Sequence, residues 1–276
     1  MTEIDLIGQM LERCSGYIRD SYDHRGNIEV NAKLDENDLV TTVDVTVQRI
    51  IVATIREAFP HDDIIGEESG FNNYNQEAVP RRCWLIDPID GTQNFVRGFY
   101  PTFGVSIGFV QEGVPACGGI LLPITGDCFM TERGSGATRN GNRVSVSPVE
   151  SVRLARIDVD FGNQSDRDAS IKVAGPLIRA TGQIRSYASA VVGFCQVAAG
   201  EQDAYVTLAA KPWDVAAGQV LVEEAAGRVS DMGGNTSSPF SLNNGIVVSN
   251  GRIHDECLSW LGGRDGLGLG KMERRI

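Results

Sequence analysis

Cys83-Trp84-Leu85-Ile86-Asp87-Pro88-Ile89-Asp90-Gly91-Thr92-Gln93-Asn94-Phe95 is the stretch on which the reading of this chain turns. Its first four residues are apolar and predict a buried strand. Pro88 biases Asp87 toward an extended backbone, so the first carboxylate is expected at the strand's end. Asp90 follows three residues later, past a bend that Pro88 and Gly91 favour. Two carboxylates that converge on one point repel each other and need protons or cations between them. Every side-chain ligand offered here is oxygen, which suits hard divalent cations. Gly91 and Thr92 are expected to open a helical turn whose N–H groups suit a phosphate. Taken alone, the segment also reads as a surface turn, because Asp-Pro and Asp-Gly are common turn dipeptides. The other acidic stretches decide between the two.

The chain has 276 residues, and its 42% hydrophobic content suffices for a large core in one domain or two lobes. A net charge of −11 argues against a nucleic-acid-binding surface. An acidic protein acting on an anionic substrate then needs a local positive centre, which bound metal supplies. The first residues, Met1-Thr2-Glu3-Ile4-Asp5, lack the basic and apolar regions of a signal peptide. No apolar run approaches the roughly 20 residues that span a membrane. Cys14, Cys83, Cys117, Cys128, Cys195 and Cys257 are scattered with no Cys-x-x-Cys pair, and read as reduced, mostly buried thiols of a cytoplasmic protein.

Outward from the opening stretch, helical spacing of Ile4, Ile7, Leu11, Cys14 and Ile18 predicts an amphipathic helix near 3–21. A second helix carries Val47, Ile50, Ile51, Ile55 and Phe59 on one stripe and ends at Pro60, with Asp44 near its start as cap or functional acid. Asp63-Ile64-Ile65-Gly66 reads as a short strand leading into Glu67-Glu68, and Phe71 to Arg82 as an exposed, mobile loop. Strands are expected over 102–110, 114–122 and 127–131. Gly104-Val105-Ser106-Ile107-Gly108 matches a serine-hydrolase pattern, but it lies inside strand sequence with only His254 downstream, and is set aside. The Gly-rich segment 134–143 reads as a connection and lobe boundary. A strand at 157–161, a helix near 166–180, a buried helix at 189–199, a strand at 203–208, a helix from Lys211 to Ala226, a strand at 243–249 and a helix at 252–261 follow. The Gly-rich tail, 262–271, echoes a phosphate loop without the flanking strand and helix or the needed Ser or Thr, and reads as disordered.

Asp44, Glu67, Asp87, Asp90 and Asp214 each stand at a strand end or helix start. In α/β proteins such junctions gather at one sheet edge, where ligands bind. Five carboxylates there read as a polynuclear Mg²⁺ site. Ile65-Gly66-Glu67-Glu68-Ser69, Trp84-Leu85-Ile86-Asp87-Pro88-Ile89-Asp90-Gly91-Thr92 and Pro212-Trp213-Asp214-Val215-Ala216-Ala217-Gly218 resemble the metal-binding motifs of the inositol monophosphatase family, the Mg²⁺-dependent, lithium-sensitive phosphatases. The resemblance runs from the first helix to about residue 261. It implies an α/β fold, an αβαβα sandwich of helix layers and mixed sheets. It also implies one catalytic domain over 1–262, with lobes of about 1–145 and 146–262.

The resemblance further implies roles. Glu67, Asp87 and the Ile89 carbonyl would hold one metal, and Asp87, Asp90 and Asp214 a second. Glu67 and Glu68 would help hold a third. Thr92, hydrogen-bonded to Asp44, would with Glu67 orient and deprotonate the attacking water. The Gly91 and Thr92 N–H groups would bind phosphate, and Lys33 matches a lysine on a mobile loop beside the metals. Asp90, Gly91, Thr92, Ala190, Thr207 and Asp214 would meet the substrate. Thr207 stands where inositol-hydrolysing members carry a Glu, Ala188 and Ala190 match pocket positions, and Gly193-Phe194 departs from the family sequence. The expected activity is hydrolysis of a small polyol or sugar-type phosphate, inositol-1-phosphate-like or histidinol phosphate. The alternatives are a 3′(2′),5′-bisphosphate nucleotidase or a non-catalytic partner-binding role in transcription. Two to three Mg²⁺ ions, a phosphate monoester as the small-molecule partner, no membrane, no direct nucleic acid and a homodimer complete the expectation. His24, His61 and His254 lie away from these stretches, so a phosphohistidine route is not expected.

Overall fold

Thr2 starts the first helix by a reciprocal cap: Asp5 N–H donates to Thr2 Oγ1 and Thr2 N–H to Asp5 Oδ2, at 3.3 and 3.1 Å. The computed structural model describes residues 1–33, 38–68, 70–71, 79–99, 101–236, 238–241 and 245–262. Helix α1 spans Glu3–Asp23 and buries Ile7, Leu11, Cys14 and Ile18, the stripe expected from spacing. Strands β1 (Val30–Ala32) and β2 (Leu39–Thr41) pair antiparallel, and Thr41 caps α2, Thr42–Ala58. Strands β3 (Asp63–Gly66) and β4 (Arg82–Asp90) run parallel. Helix α3 is Thr92–Arg97. An antiparallel meander then extends the sheet through β5 (Gly104–Gln111), β6 (Val114–Leu122), β7 (Asp127–Glu132), β8 (Gly136–Arg139) and β9 (Asn142–Arg143).

The second half adds β10 (Arg156–Asp160), α4 (Arg167–Ala180), β11 (Gln183–Arg185), α5 (Ala190–Ala198), β12 (Ala204–Thr207) and α6 (Pro212–Glu224). Strands β13 (Arg228–Asp231) and β14 (Ile246–Ser249) and helix α7 (His254–Trp260) complete it. Five of these strands form a mixed sheet in the order β11-β10-β12-β14-β13. Alternation along the strands sorts side chains between layers. On β12, Ala204 and Val206 join α4 and α7 in an outer core, and Tyr205 joins α5 and α6 in an inner one. On β4, Trp84 and Ile86 pack with α1 and α2, and Leu85 faces Trp213 and Ala216 of α6. The layers are helices, seven-stranded sheet, the α5–α6 pair, five-stranded sheet, helices: a mixed α/β sandwich, as expected.

Two readings need correction. Asp87 is not at a strand end, because β4 continues to Asp90 by pairing with β5. The Gly-rich segment 134–143 holds β8 and β9, since its glycines make tight turns of a continuing meander rather than an open connection. Strand β13 went unread between α6 and β14, as did the β1–β2 pair and β11. The loop and tail readings fall largely on 72–78 and 263–276, outside the described residues.

Asp158 of β10 is a fully buried carboxylate away from the acid cluster. Its Oδ1 accepts Tyr187 N–H at 3.2 Å, and its Oδ2 has no hydrogen-bond partner among the described residues. Burial, against the Tyr187 N–H and aided by the Asp160 charge, pushes its pKa up to about 7. The folded protein therefore keeps a proton that the unfolded chain releases. That contribution to stability is full below the ordinary carboxylate pKa and is lost as pH rises through about 7. Asp158→Asn is expected to stabilise the fold at pH 8 by a few kcal/mol, with the gain shrinking as pH falls toward about 5. Urea unfolding across that range measures it, and a gain independent of pH would contradict it.

Candidate active site

Residues i and i+3 of a regular strand point to opposite faces. Asp87 and Asp90 nonetheless face one site, because β4 is irregular between them. Asp87 pairs with Ser106 and Asp90 with Gly104, so three steps on β4 match two on β5. The extra residue is a bulge that reverses the parity of the strand. Ile89 N–H donates to Asp87 Oδ1 at 3.0 Å and fixes the first carboxylate. Asp90 Oδ2 accepts the Ser189 hydroxyl and, at 3.0 Å, the Val191 N–H at the start of α5.

Asp214 comes from α6. It sits in the first turn and accepts Lys211 N–H at 2.7 Å, so it closes the helix start as well as facing the site. Ser106, the pairing partner of Asp87, donates its hydroxyl to Trp213 O at 3.2 Å and ties α6 to β5 beside Asp87. Gly108 lets the helix approach: a Cβ there would lie 2.7 Å from the Ala216 Cβ. The Ser and second Gly of the set-aside hydrolase pattern thus serve helix–sheet packing. One carboxylate oxygen from each of Asp87, Asp90 and Asp214 lies within 4.8 Å of the others. Burial, followed by the charges of Glu67 and its fellow acids, holds Asp87 well above the usual carboxylate range. Asp214 is raised by burial and then by Asp90. For Asp90 burial outweighs the Ser189 and Val191 hydrogen bonds and pushes it up to about 7. Three crowded oxygen donors, each driven toward its neutral form, fit a hard divalent cation, which would relieve that repulsion.

Asp44 and Thr92 meet at the same place from α2 and α3. Thr92 Oγ1 is 3.1 Å from Asp44 Oδ1 and 3.0 Å from Ile89 O, so its one proton serves one of them. Asp44 Oδ2 accepts the N–H and hydroxyl of Thr41, so the capping role and the site role coexist. Burial pushes Asp44 up to about 6 against the Thr41 hydrogen bonds. Glu67 and Glu68 follow β3, where Glu67 N–H bonds Ile86 O and Glu68 N–H bonds Gln48 Oε1. Lys33 Nζ donates to Glu67 Oε1 at 2.6 Å and Glu68 Oε1 at 2.8 Å. Burial alone would lower the Lys33 ammonium, but the two carboxylates outweigh it and hold it above its ordinary value. Burial raises Glu68 to about 7 despite Lys33.

These groups border a cavity of about 990 Å³, whose wall also carries Ile89, Gly91, Ala188, Ala190 and Thr207. Gly91 is left-handed, with φ 86°, and a Cβ there would stand 2.9 Å from Thr102 O. Sequence reasoning missed Asp160, Arg167, Tyr205 and Lys211 on the same wall, and Ser189 behind Asp90. The alternation Asp158-Val159-Asp160 at a strand end was the available signal for the first. None of the three histidines lines the cavity, and His254 is held between the Ser230 and Ser249 hydroxyls. All six cysteines are free, and no described helix is long and apolar enough to cross a membrane.

Comparison with known proteins bears on family and fold. The sequence model of the inositol monophosphatase family matches residues 4–261. The chain is 38% identical over 234 residues to a fructose-1,6-bisphosphatase/inositol-1-monophosphatase of Thermotoga maritima, a match covering 84% of this chain and 86% of that one. It is 34% identical over 242 residues to the Nus factor SuhB of Vibrio cholerae, covering 87% and 88%. The solved structure of a Thermotoga maritima IMPase superposes with a TM-score of 0.81 at 33% identity, over 94% of this chain and 96% of that one. With its acid cluster assembled on this sandwich and nearly its whole length matched, the chain belongs to the inositol monophosphatase family and is a phosphoric monoester hydrolase.

Proposed function

We propose that this protein hydrolyses a small polyol or sugar-type phosphate monoester, inositol-1-phosphate-like or histidinol phosphate, in a Mg²⁺-dependent reaction. The convergence of Asp87, Asp90 and Asp214 carries the proposal. Those three, with Glu67 and the Ile89 carbonyl, would hold two Mg²⁺ ions, and Glu68 would help hold a third. Bound Mg²⁺ would lower the pKa of a water and neutralise charge on the leaving oxygen. The chain's own residues do the rest. Thr92, oriented through Asp44, and Glu67 position the water and accept its proton. The Gly91 and Thr92 N–H groups hold phosphate oxygens. Ala190 and Thr207 bound the ring of the alcohol, with a hydroxyl in place of a carboxylate at 207.

The sugar and polyol class draws support from the Thermotoga relative, whose name joins fructose-1,6-bisphosphatase to inositol-1-monophosphatase. The test is phosphate release from a panel of inositol, histidinol, hexose and adenosine bisphosphate substrates, with Mg²⁺ and with chelator. Release from the polyol or sugar esters that stops on chelation is expected, and release insensitive to chelator would refute the assignment. Several relatives named Nus factor SuhB favour a second reading, a partner-binding role in transcription alongside catalysis. A pull-down unaffected by Asp90→Asn would support it.

A further inference from the structure

Asp90 differs from the two acids beside it in how its oxygens are used. Its Oδ2 accepts two donors at once, the Ser189 hydroxyl and, at 3.0 Å, Val191 N–H. Among the described residues Asp87 Oδ1 and Asp214 Oδ2 each take one donor, Ile89 N–H and Lys211 N–H. A carboxylate oxygen offers two lone pairs. Oδ2 of Asp90 is therefore filled, and only Oδ1 is left for a cation.

The chain around Ser189 is built to keep that contact. Ser189 is the buried N-cap of α5, and its Oγ accepts Val192 N–H at 3.4 Å, so its one proton goes to Asp90. Ala188 before it is left-handed, with φ 53°, a conformation that is strained for a residue with a Cβ. Asn94 of α3 clamps the approach: its Nδ2 donates to Thr102 O and to Tyr187 O, both at 2.7 Å. Clamp and strained turn together aim Ser189 at Asp90. Cations differ in what they ask of such a carboxylate. Mg²⁺ demands a near-ideal octahedron of oxygens at about 2.0–2.1 Å. The two oxygens of one carboxylate lie too close together to span an edge of it. Ca²⁺ is larger, takes six to eight oxygens in flexible geometry, and readily accepts both oxygens of one carboxylate.

We infer that Ser189 is a positioning residue that restricts Asp90 to a single free oxygen and thereby makes the acid cluster prefer Mg²⁺ to Ca²⁺. This rests on the metal-dependent phosphatase reading above and adds to it what sets the choice of ion. Ser189 touches neither substrate nor ion, and acts only through Asp90.

The test titrates the full chain with Mg²⁺ and, separately, with Ca²⁺ by calorimetry, and the binding event that Asp90→Asn abolishes marks the site. In Ser189→Ala the Mg²⁺ Kd at that site should rise about ten- to a hundredfold. The Ca²⁺ Kd should hold or fall, because the freed lone pair of Oδ2 lets Asp90 offer both oxygens. Ser189→Gly removes the hydroxyl with less loss of helix capping than alanine brings, and should show the same shift. Ser189→Thr keeps the hydroxyl and should keep the wild-type ratio of the two affinities. An unchanged ratio in the Ala and Gly variants, an equal loss for both ions, or a Thr variant that behaves as the Ala one would overturn the role of Ser189 and leave the phosphatase standing. If Asp90→Asn abolishes no binding event, Asp90 holds no metal, and the metal-dependent reading falls together with this inference.

Discussion

Asp90→Asn is expected to lower Mg²⁺-dependent phosphate release by about a thousandfold or more and to leave the protein folded. Asparagine keeps the shape of the side chain, and its amide oxygen can still accept from Ser189 or Val191. What it lacks is the negative charge. Burial and neighbouring acids already drive Asp90 up to about 7, so the charge is held at a cost in the metal-free protein. Removing it should raise the melting temperature without metal. The same change removes a ligand, so the rise in melting temperature that Mg²⁺ gives wild type should shrink or vanish. Thermal scans with Mg²⁺ and with chelator, beside an activity assay, separate the two effects. A variant that keeps both its activity and its Mg²⁺-induced rise would show that Asp90 holds no metal.

Thr92→Ala is the second large effect, and it acts differently. The hydroxyl lies between Asp44 Oδ1 and Ile89 O, both fixed by their own elements. Donating to one of them leaves its lone pairs to accept a proton from a water in the cavity. Losing that acceptor should cost about a hundredfold to ten-thousandfold in kcat, the range for a positioned proton-transfer group. Thr92→Ser keeps the hydroxyl and should recover most of the rate. Because Thr92 is not among the three clustered acids, the Mg²⁺-induced rise in melting temperature should persist in both variants. Equal rates for the Ala and Ser variants would remove Thr92 from the proton path.

Helices α1, α2 and α6 and strands β5 and β6 were legible because each carries a long, regular apolar pattern. Strand β13, with only four residues and three of them polar, carries too short a pattern to read. The Gly-rich β8–β9 segment was misread because glycine marks turns and open connections alike. At the site, the acids in the three motifs were legible. Arg167, Asp160 and Ser189 were not, because their part depends on which segments fold against one another: Gly162 against Ala209, and the start of α5 against Asp90.

The amino-acid sequence by itself determined the inventory: which acids are available, that their ligands are all oxygen, that Asp214 opens a helix, and that Gly91 and Thr92 open a helical turn. Only the tertiary structure decided that Asp87 and Asp90 share a face. Three residues apart on a regular strand they would point to opposite sides, and pairing with β5 inserts the odd residue that brings them together. Only packing, in turn, brought Asp214 to them. Its distance from β4 is set by how closely α6 can lie on the sheet, which depends on Gly108 and on the Ser106 hydroxyl, more than a hundred residues away along the chain.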